Sequence, residues 1–264
     1  TFYDDNHLFY ITSAGISLLN ISTSESRLLY SNITEDFFQV PSLYYDDQLK
    51  RLWIGTGSAG LFYYDIIRKS LSDIPIRNFP KQPILAIRKD AKNTLLIGID
   101  GQGIWNISEK GDTILHIYKE DLNNPFSLRG DGVYDILCDG SKNWIATFTG
   151  KLSFFENNNS QITPVTYQIN NPNSLGNNYV NQIIEDHEGH IWFATNNGVS
   201  RWDAASNKWK HYYQNKSEQA KVFLSLCEDN QGHIWAGSYS SGIYLLDRET
   251  GKTLKHYSSK TNTP

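Results

Sequence analysis

The chain has 264 residues, a formal net charge of −4, 39% apolar residues and 20% charged residues. That length suits one large or two small domains. No stretch approaches the ~20 apolar residues of a membrane helix, and no Lys/Arg run marks a nucleic-acid surface. Aromatic residues reach 13%, with 16 Tyr and 7 Trp, which favours strands over helices.

One pattern recurs along the chain. In order, it reads LFYITSAGISLLN from Leu8, LWIGTGSAGLFYYD from Leu52, LLIGIDGQGIWNIS from Leu95, NWIATFTGKLSFFE from Asn143, IWFATNNGVSRWD from Ile191 and IWAGSYSSGIYLLD from Ile234. Its anchors are Phe9, Trp53, Leu96, Trp144, Trp192 and Trp235, separated by 44, 43, 48, 48 and 43 residues. Asp47, Asp90, Asp186 and Asp229 lie six residues before their anchors, and Asp139 lies five before its own. The pattern Asp-x-x-Gly-x-Ile-Trp reads as a hairpin in which the Asp accepts bonds from turn amides and Gly189 or Gly232 supplies a positive φ. A polar loop follows the anchor, then a glycine (Gly15, Gly60, Gly103, Gly198, Gly242) and a third apolar run. A fourth run is seen in LHIYKE, KWKHYYQ and LKHYSS.

Four short strands per ~45 residues, with aromatic anchors and turn glycines, predict an all-β propeller of about six four-stranded blades. The blades are expected at roughly 1–37, 38–79, 80–126, 127–174, 175–220 and 221–264. Runs such as LLIGI and IWFAT are apolar on both faces, as expected of a sheet covered on both sides. Lys151 replaces the third-strand glycine in the fourth copy, with Gly150 just before it, so that turn is expected to be rebuilt around Gly150. Cys138 and Cys227 read as buried free thiols. The absence of methionine and of a signal peptide reads as excision from a longer chain. Pro264 aligns with Pro125 and Pro172, and most of the first copy's first strand is missing, so further blades are expected at both ends.

The run NNPNSLGNNYVNQIIEDHEGHIWFATNNGVSRWD, Asn170 to Asp203, resembles the two-component regulator propeller repeat of sensor ectodomains in hybrid two-component kinases of gut Bacteroidetes. NNPFSLRGDGVYDILCDGSKNWIAT, from Asn123, is similar to its first half. The resemblance implies a periplasmic sensor region of an inner-membrane protein, with a histidine kinase and a DNA-binding regulator in the same polypeptide. It further implies an oligosaccharide ligand, other ectodomain parts as partners and a homodimeric parent. No contact with nucleic acid or membrane is expected of this segment.

No paired acid and base, activated nucleophile or phosphate loop is legible, so no catalytic residue, cofactor or metal ligand is assigned. His190 and His233 share a turn position, and His211 and His256 an outer-strand position; they read as surface residues that do not converge on an ion. The sequons at Asn20 and Asn215 and the RGD at Arg129 read as chance matches. The loops that vary while the frame stays constant are the candidate ligand contacts. Loops after the second strand contribute Asp100, Gln102, Phe148, Asn196, Asn197 and Tyr239. Blade-to-blade loops contribute Arg129, Tyr134, Asn178 and Tyr179. Amides, Arg and aromatic faces suit a neutral polyhydroxylated ligand. The alternatives are a structural or dimerising propeller with no ligand, and a propeller lyase or other glycan-cleaving enzyme.

Overall fold

The computed structural model describes residues 1–31, 42–148, 151–214 and 221–258. Thr149, Gly150, the Asn215 sequon and Pro264 lie outside the described residues. The described chain is all-β, a propeller of six four-stranded antiparallel sheets, and it divides into two compact units.

The first unit comprises Thr1–Lys119 with Asp131–Val133. Its first sheet is β1 (Phe2–Asp4), β2 (His7–Thr12), β3 (Gly15–Asn20) and β4 (Ser26–Tyr30). The second is β5 (Ser42–Asp46), β6 (Arg51–Gly55), β7 (Leu61–Asp65) and β8 (Ser70–Asp73). The third is β9 (Ile84–Lys89), β10 (Leu95–Ile99), β11 (Gly103–Ile107) and β12 (Ile114–Tyr118). Phe9, Leu52, Ile54 and Tyr64 close one interblade core, and Trp53, Ile84, Ile87 and Ile97 the next.

The second unit comprises Glu120–Gly130 with Tyr134–Pro264. Its sheets are β13 (Val133–Cys138), β14 (Lys142–Thr147), β15 (Lys151–Glu156) and β16 (Asn159–Val165), then β17 (Val180–Glu185), β18 (Ile191–Thr195), β19 (Gly198–Asp203) and β20 (Lys208–Tyr212). The last is β21 (Phe223–Glu228), β22 (Ile234–Ser238), β23 (Ile243–Leu246) and β24 (Thr253–Tyr257). Trp144, Phe193 and Trp202 meet in one core, while Trp192, Tyr212, Phe223 and Tyr244 fill the next. Every residue of β10 and β18 is buried, as the two-sided apolar runs predict.

The hairpin turn explains the Asp–Trp spacing. Asp186 Oδ1 accepts the amides of Glu188 at 3.0 Å and His190 at 2.9 Å, while Oδ2 accepts Trp192 Nε1 at 2.7 Å. Asp229 serves Gln231, His233 and Trp235 in the same way, and Asp139 serves Ser141, Lys142 and Trp144. One carboxylate therefore ties the turn to the buried indole. Burial alone would raise the Asp186 carboxyl, but these donors hold it below its ordinary value. At Asp229 the same balance leaves the pKa at about 2.

A second device fixes the opposite end. Thr56, Thr195 and Ser238, at the end of a second strand, donate to the carbonyls of Gly60, Gly198 and Gly242 at 2.8, 2.7 and 2.8 Å. Thr147 donates likewise to Lys151 O at 3.1 Å, so the device survives where the glycine is lost. Gly198 is required by its surroundings: φ is +88° and a Cβ would sit 2.2 Å from Tyr212 O.

Three expectations need correction. In the second sheet the turn carboxylate is Asp46, which accepts the amides of Gln48 and Leu49, whereas Asp47 faces solvent and pairs with Lys50. Asp46 pairs directly with Arg51, so this turn is a residue shorter than the one between Glu185 and Ile191. Trp53 Nε1 is accordingly buried without an acceptor. Neither cysteine is the buried thiol expected: Cys138 is half-buried and Cys227 exposed, because successive strand residues face opposite ways and Leu226 takes the core. His211 is half-buried and held by two bonds rather than lying loose on the surface.

Candidate functional site

The blade-leading motif Asn-Pro-x-Ser-Leu is a hydrogen-bonded knot. Ser174 Oγ accepts the Gln168 amide at 3.1 Å and donates to Asn171 O at 2.9 Å, and Leu175 behind it is fully buried. Ser127 does the same with the Asp121 amide and Asn124 O, ahead of buried Leu128. This knot launches the loops that carry Arg129 and Asn177–Tyr179, so their positions follow from a rigid base.

In the first unit, Asp100 is exposed and its amide is held by Pro83 O at 2.9 Å. Gln102 is half-buried, with Oε1 accepting Lys119 Nζ at 3.1 Å. Both lie in the β10–β11 turn, where Gly101 has φ +66°.

In the second unit, the structure brings Tyr134 and Phe148 together as an edge-to-face pair 5.3 Å apart, with Phe148 62% exposed. Tyr179 is half-exposed, and its carbonyl accepts the Asn196 amide at 3.1 Å. Asn196 Oδ1 in turn accepts Asn181 Nδ2 at 2.9 Å, and the same amide group donates to Phe223 O at 2.7 Å. Asn181 thus positions Asn196 while crossing from β17 to β21. Nothing in the repeat frame singles Asn181 out, because its role depends on the blade beside it. Asn197 donates its amide to Thr195 Oγ1 at 3.1 Å. Tyr239 is 74% exposed above a backbone anchored to Val222 O.

Besides Gln102 and Asn196, two more candidates bond within the chain through their side chains. Arg129 Nη2 donates to Pro125 O at 2.7 Å, and Asn178 Oδ1 accepts the Tyr167 amide at 2.7 Å. Exposed aromatic faces at Phe148, Tyr179 and Tyr239, with amides at Asn196 and Asn197, are the remaining candidate contacts in this unit. That set can cover C–H patches and bond hydroxyls; it contains no nucleophile–base pair.

The histidines have local duties. His190 Nδ1 lies 3.1 Å from Asp186 Oδ2, and His233 Nδ1 3.1 Å from Asp229 Oδ2. His256 Nε2 meets Ser241 O at 2.5 Å and its ring stacks on Tyr244. Among the described residues, no three His, Cys, Asp or Glu side chains gather as a metal site.

Comparison with curated proteins gives no match. The fold is similar to that of the computationally designed Ika8 protein, at 12% identity and a TM-score of 0.67, over 97% of this chain and 72% of that one. The chain also aligns with the extracellular domain of a predicted one-component system from B. thetaiotaomicron, at 19% identity and a TM-score of 0.46. A third alignment is with the extracellular domain of a predicted hybrid two-component system from the same organism, at 22% identity and a TM-score of 0.45. The last two alignments cover 97% and 96% of this chain but 42% and 32% of those chains, so it spans less than half of their length. Residues 174–197 and 217–240 match the two-component regulator propeller family, and the chain therefore carries two-component regulator propeller repeats.

Proposed function

We propose that this chain is a non-catalytic, extracytoplasmic sensor propeller of a hybrid two-component system. It recognises a neutral, glycan-derived oligosaccharide and relays the event to a kinase in the same polypeptide, which acts as a homodimer. The observation that carries the reading is that a chain matching the regulator-propeller family in two segments holds out exposed Phe148, Tyr179, Tyr239 and Asn196, with half-buried Asn197 beside them, on its loops. Ligand binding transmits a signal only by favouring one arrangement of the parent's parts over another, so the relay requires packing that differs between the two states.

Calorimetric titration of the chain with a panel of neutral oligosaccharides tests this. Binding without product formation, weakened roughly ten-fold or more by Tyr179→Ala or Tyr239→Ala, is the expected result. Undiminished binding in both variants overturns the choice of loops. Shortened sugars in the mixture overturn the non-catalytic reading in favour of a glycan-cleaving propeller.

A further inference from the structure

The loops leading into β13 and β17 share the frame Asn-Asn-Pro-x-Ser-Leu, NNPFSLR from Asn123 and NNPNSLG from Asn170, and differ at the fourth and seventh positions. In the first loop Arg129 folds back and its guanidinium occupies the carbonyl of Pro125, at 2.7 Å. The matching residue in the second loop is Gly176, which has no side chain to return. A Cβ there would lie 2.3 Å from Gln214 Nε2, 2.6 Å from Ser200 Oγ and 2.9 Å from His211 Nδ1. Glycine therefore lets the loop rest directly on the blade, and His211 rather than an arginine meets the carbonyl of Pro172.

Beside this loop lies a cleft of about 260 Å³ within the second unit, walled by Tyr167, Asn170, Leu175, His211 and Gln214. Its floor is rigid. Ser200 Oγ accepts the Gly176 amide at 3.2 Å and meets His211 Nδ1 at 3.1 Å, while His211 Nε2 lies 3.1 Å from Pro172 O. Since a carbonyl only accepts, Nε2 carries the proton, and a neutral ring then accepts at Nδ1 from Ser200. Burial holds His211 below its ordinary pKa, in keeping with that neutral state. Gln214 Nε2 donates to Gly176 O at 3.2 Å, which holds this amide in the cleft wall. Tyr167 is half-exposed and its backbone is pinned by Asn178.

Among the described residues, no Lys, Arg, Asp or Glu lines the cleft. An ionic ligand would meet no countercharge there, whereas hydroxyls would meet amides and a carbonyl. The volume lies just below the ~300–1,000 Å³ range of drug-sized pockets, which suits one ring rather than a chain. We propose that this cleft is a subsite for a single neutral sugar ring, with Gln214 and Asn170 bonding its hydroxyls and Tyr167 covering a C–H face. The ligand class rests on the sugar-sensing reading above; the location stands on the cleft itself.

Neutral methyl glycosides and short neutral oligosaccharides, with methyl glucuronide as the charged control, are titrated into the full chain by calorimetry. The His211 ring signals are followed in parallel by long-range ¹H–¹⁵N NMR. Binding should be roughly five- to ten-fold weaker in Tyr167→Ala and in Gln214→Ala, and the His211 signals should move on saturation. Tyr179→Ala and Tyr239→Ala should leave the His211 shift in place. If binding falls only in the Tyr179 and Tyr239 variants and the His211 signals stay fixed, the cleft is overturned while sugar sensing at the loops survives. If no neutral sugar binds the wild-type chain, both readings fall. A glucuronide preference of ten-fold or more overturns the neutral class.

Discussion

Asp186→Asn probes how much one turn carboxylate holds together. Its side chain is fully buried and serves two turn amides, Trp192 Nε1 at 2.7 Å and Arg248 Nη2 at 2.6 Å. An asparagine keeps one oxygen for the turn amides but turns an NH₂ group toward the indole and the guanidinium, donor against donor. Removing one partner of a buried pair costs ~3–5 kcal/mol, and an orphaned buried donor ~1–3 kcal/mol. Arg248 retains Glu188 at 3.2 Å and Glu228 at 3.9 Å, which moves the expectation to the low end. The result is a loss of ~3 kcal/mol, or a fall in Tm of roughly 6–12 °C for a chain of this size. Fluorescence-detected melting reads it directly, since Trp192 is fully buried. A double-mutant cycle with Arg248→Met should show favourable coupling between the two positions. A change in Tm of less than about 2 °C, or additive effects in the cycle, would refute the claim that this carboxylate joins turn, indole and neighbouring blade.

The same logic ranks the indoles. Trp192→Phe takes one of several donors from the buried Asp186 carboxylate while Trp53→Phe removes a donor that has no acceptor, so the former should cost ~1 kcal/mol more in urea unfolding. Gly198→Ala, at φ +88° and 2.2 Å from a backbone oxygen, should destabilise well beyond the ~1 kcal/mol expected of Gly101→Ala, which has φ +66° and open space, as thermal melts of the two will show. Thr195→Val removes the bond to Gly198 O and the acceptor for the Asn197 amide, and should cost ~1–2 kcal/mol by the same measurement. His211 has a folded pKa below its unfolded value of 6.5, so its neutral form is favoured in the fold. Its contribution is therefore intact above 6.5 and lost as pH falls toward the folded pKa; a His211→Gln chain should show a flatter Tm profile between about pH 7 and about pH 5.

Much of this molecule follows from local pattern. The spacing of Phe9, Trp53, Leu96, Trp144, Trp192 and Trp235 is enough to count the blades, because each copy is one antiparallel sheet whose strands meet only sequence neighbours. The Asp186 turn and the left-handed Gly189 are legible for the same reason: their partners lie within six residues. The second-sheet turn shows the limit of that reasoning, since Asp46 and Asp47 are chemically identical and only the register of Asp46 against Arg51 chooses between them. The candidate contacts divide similarly. Variable loops can be found by subtracting the frame, which locates Tyr179, Asn196 and Tyr239. Whether a loop side chain faces outward or is spent within the chain depends on neighbours tens of residues away. Asn181 reaches Phe223 O, and His211 reaches Pro172 O, across separations of 42 and 39 residues. Repetition in sequence determines the blades because their bonds are local; the tertiary structure decides the clefts, because a cleft is what two non-adjacent segments fail to fill.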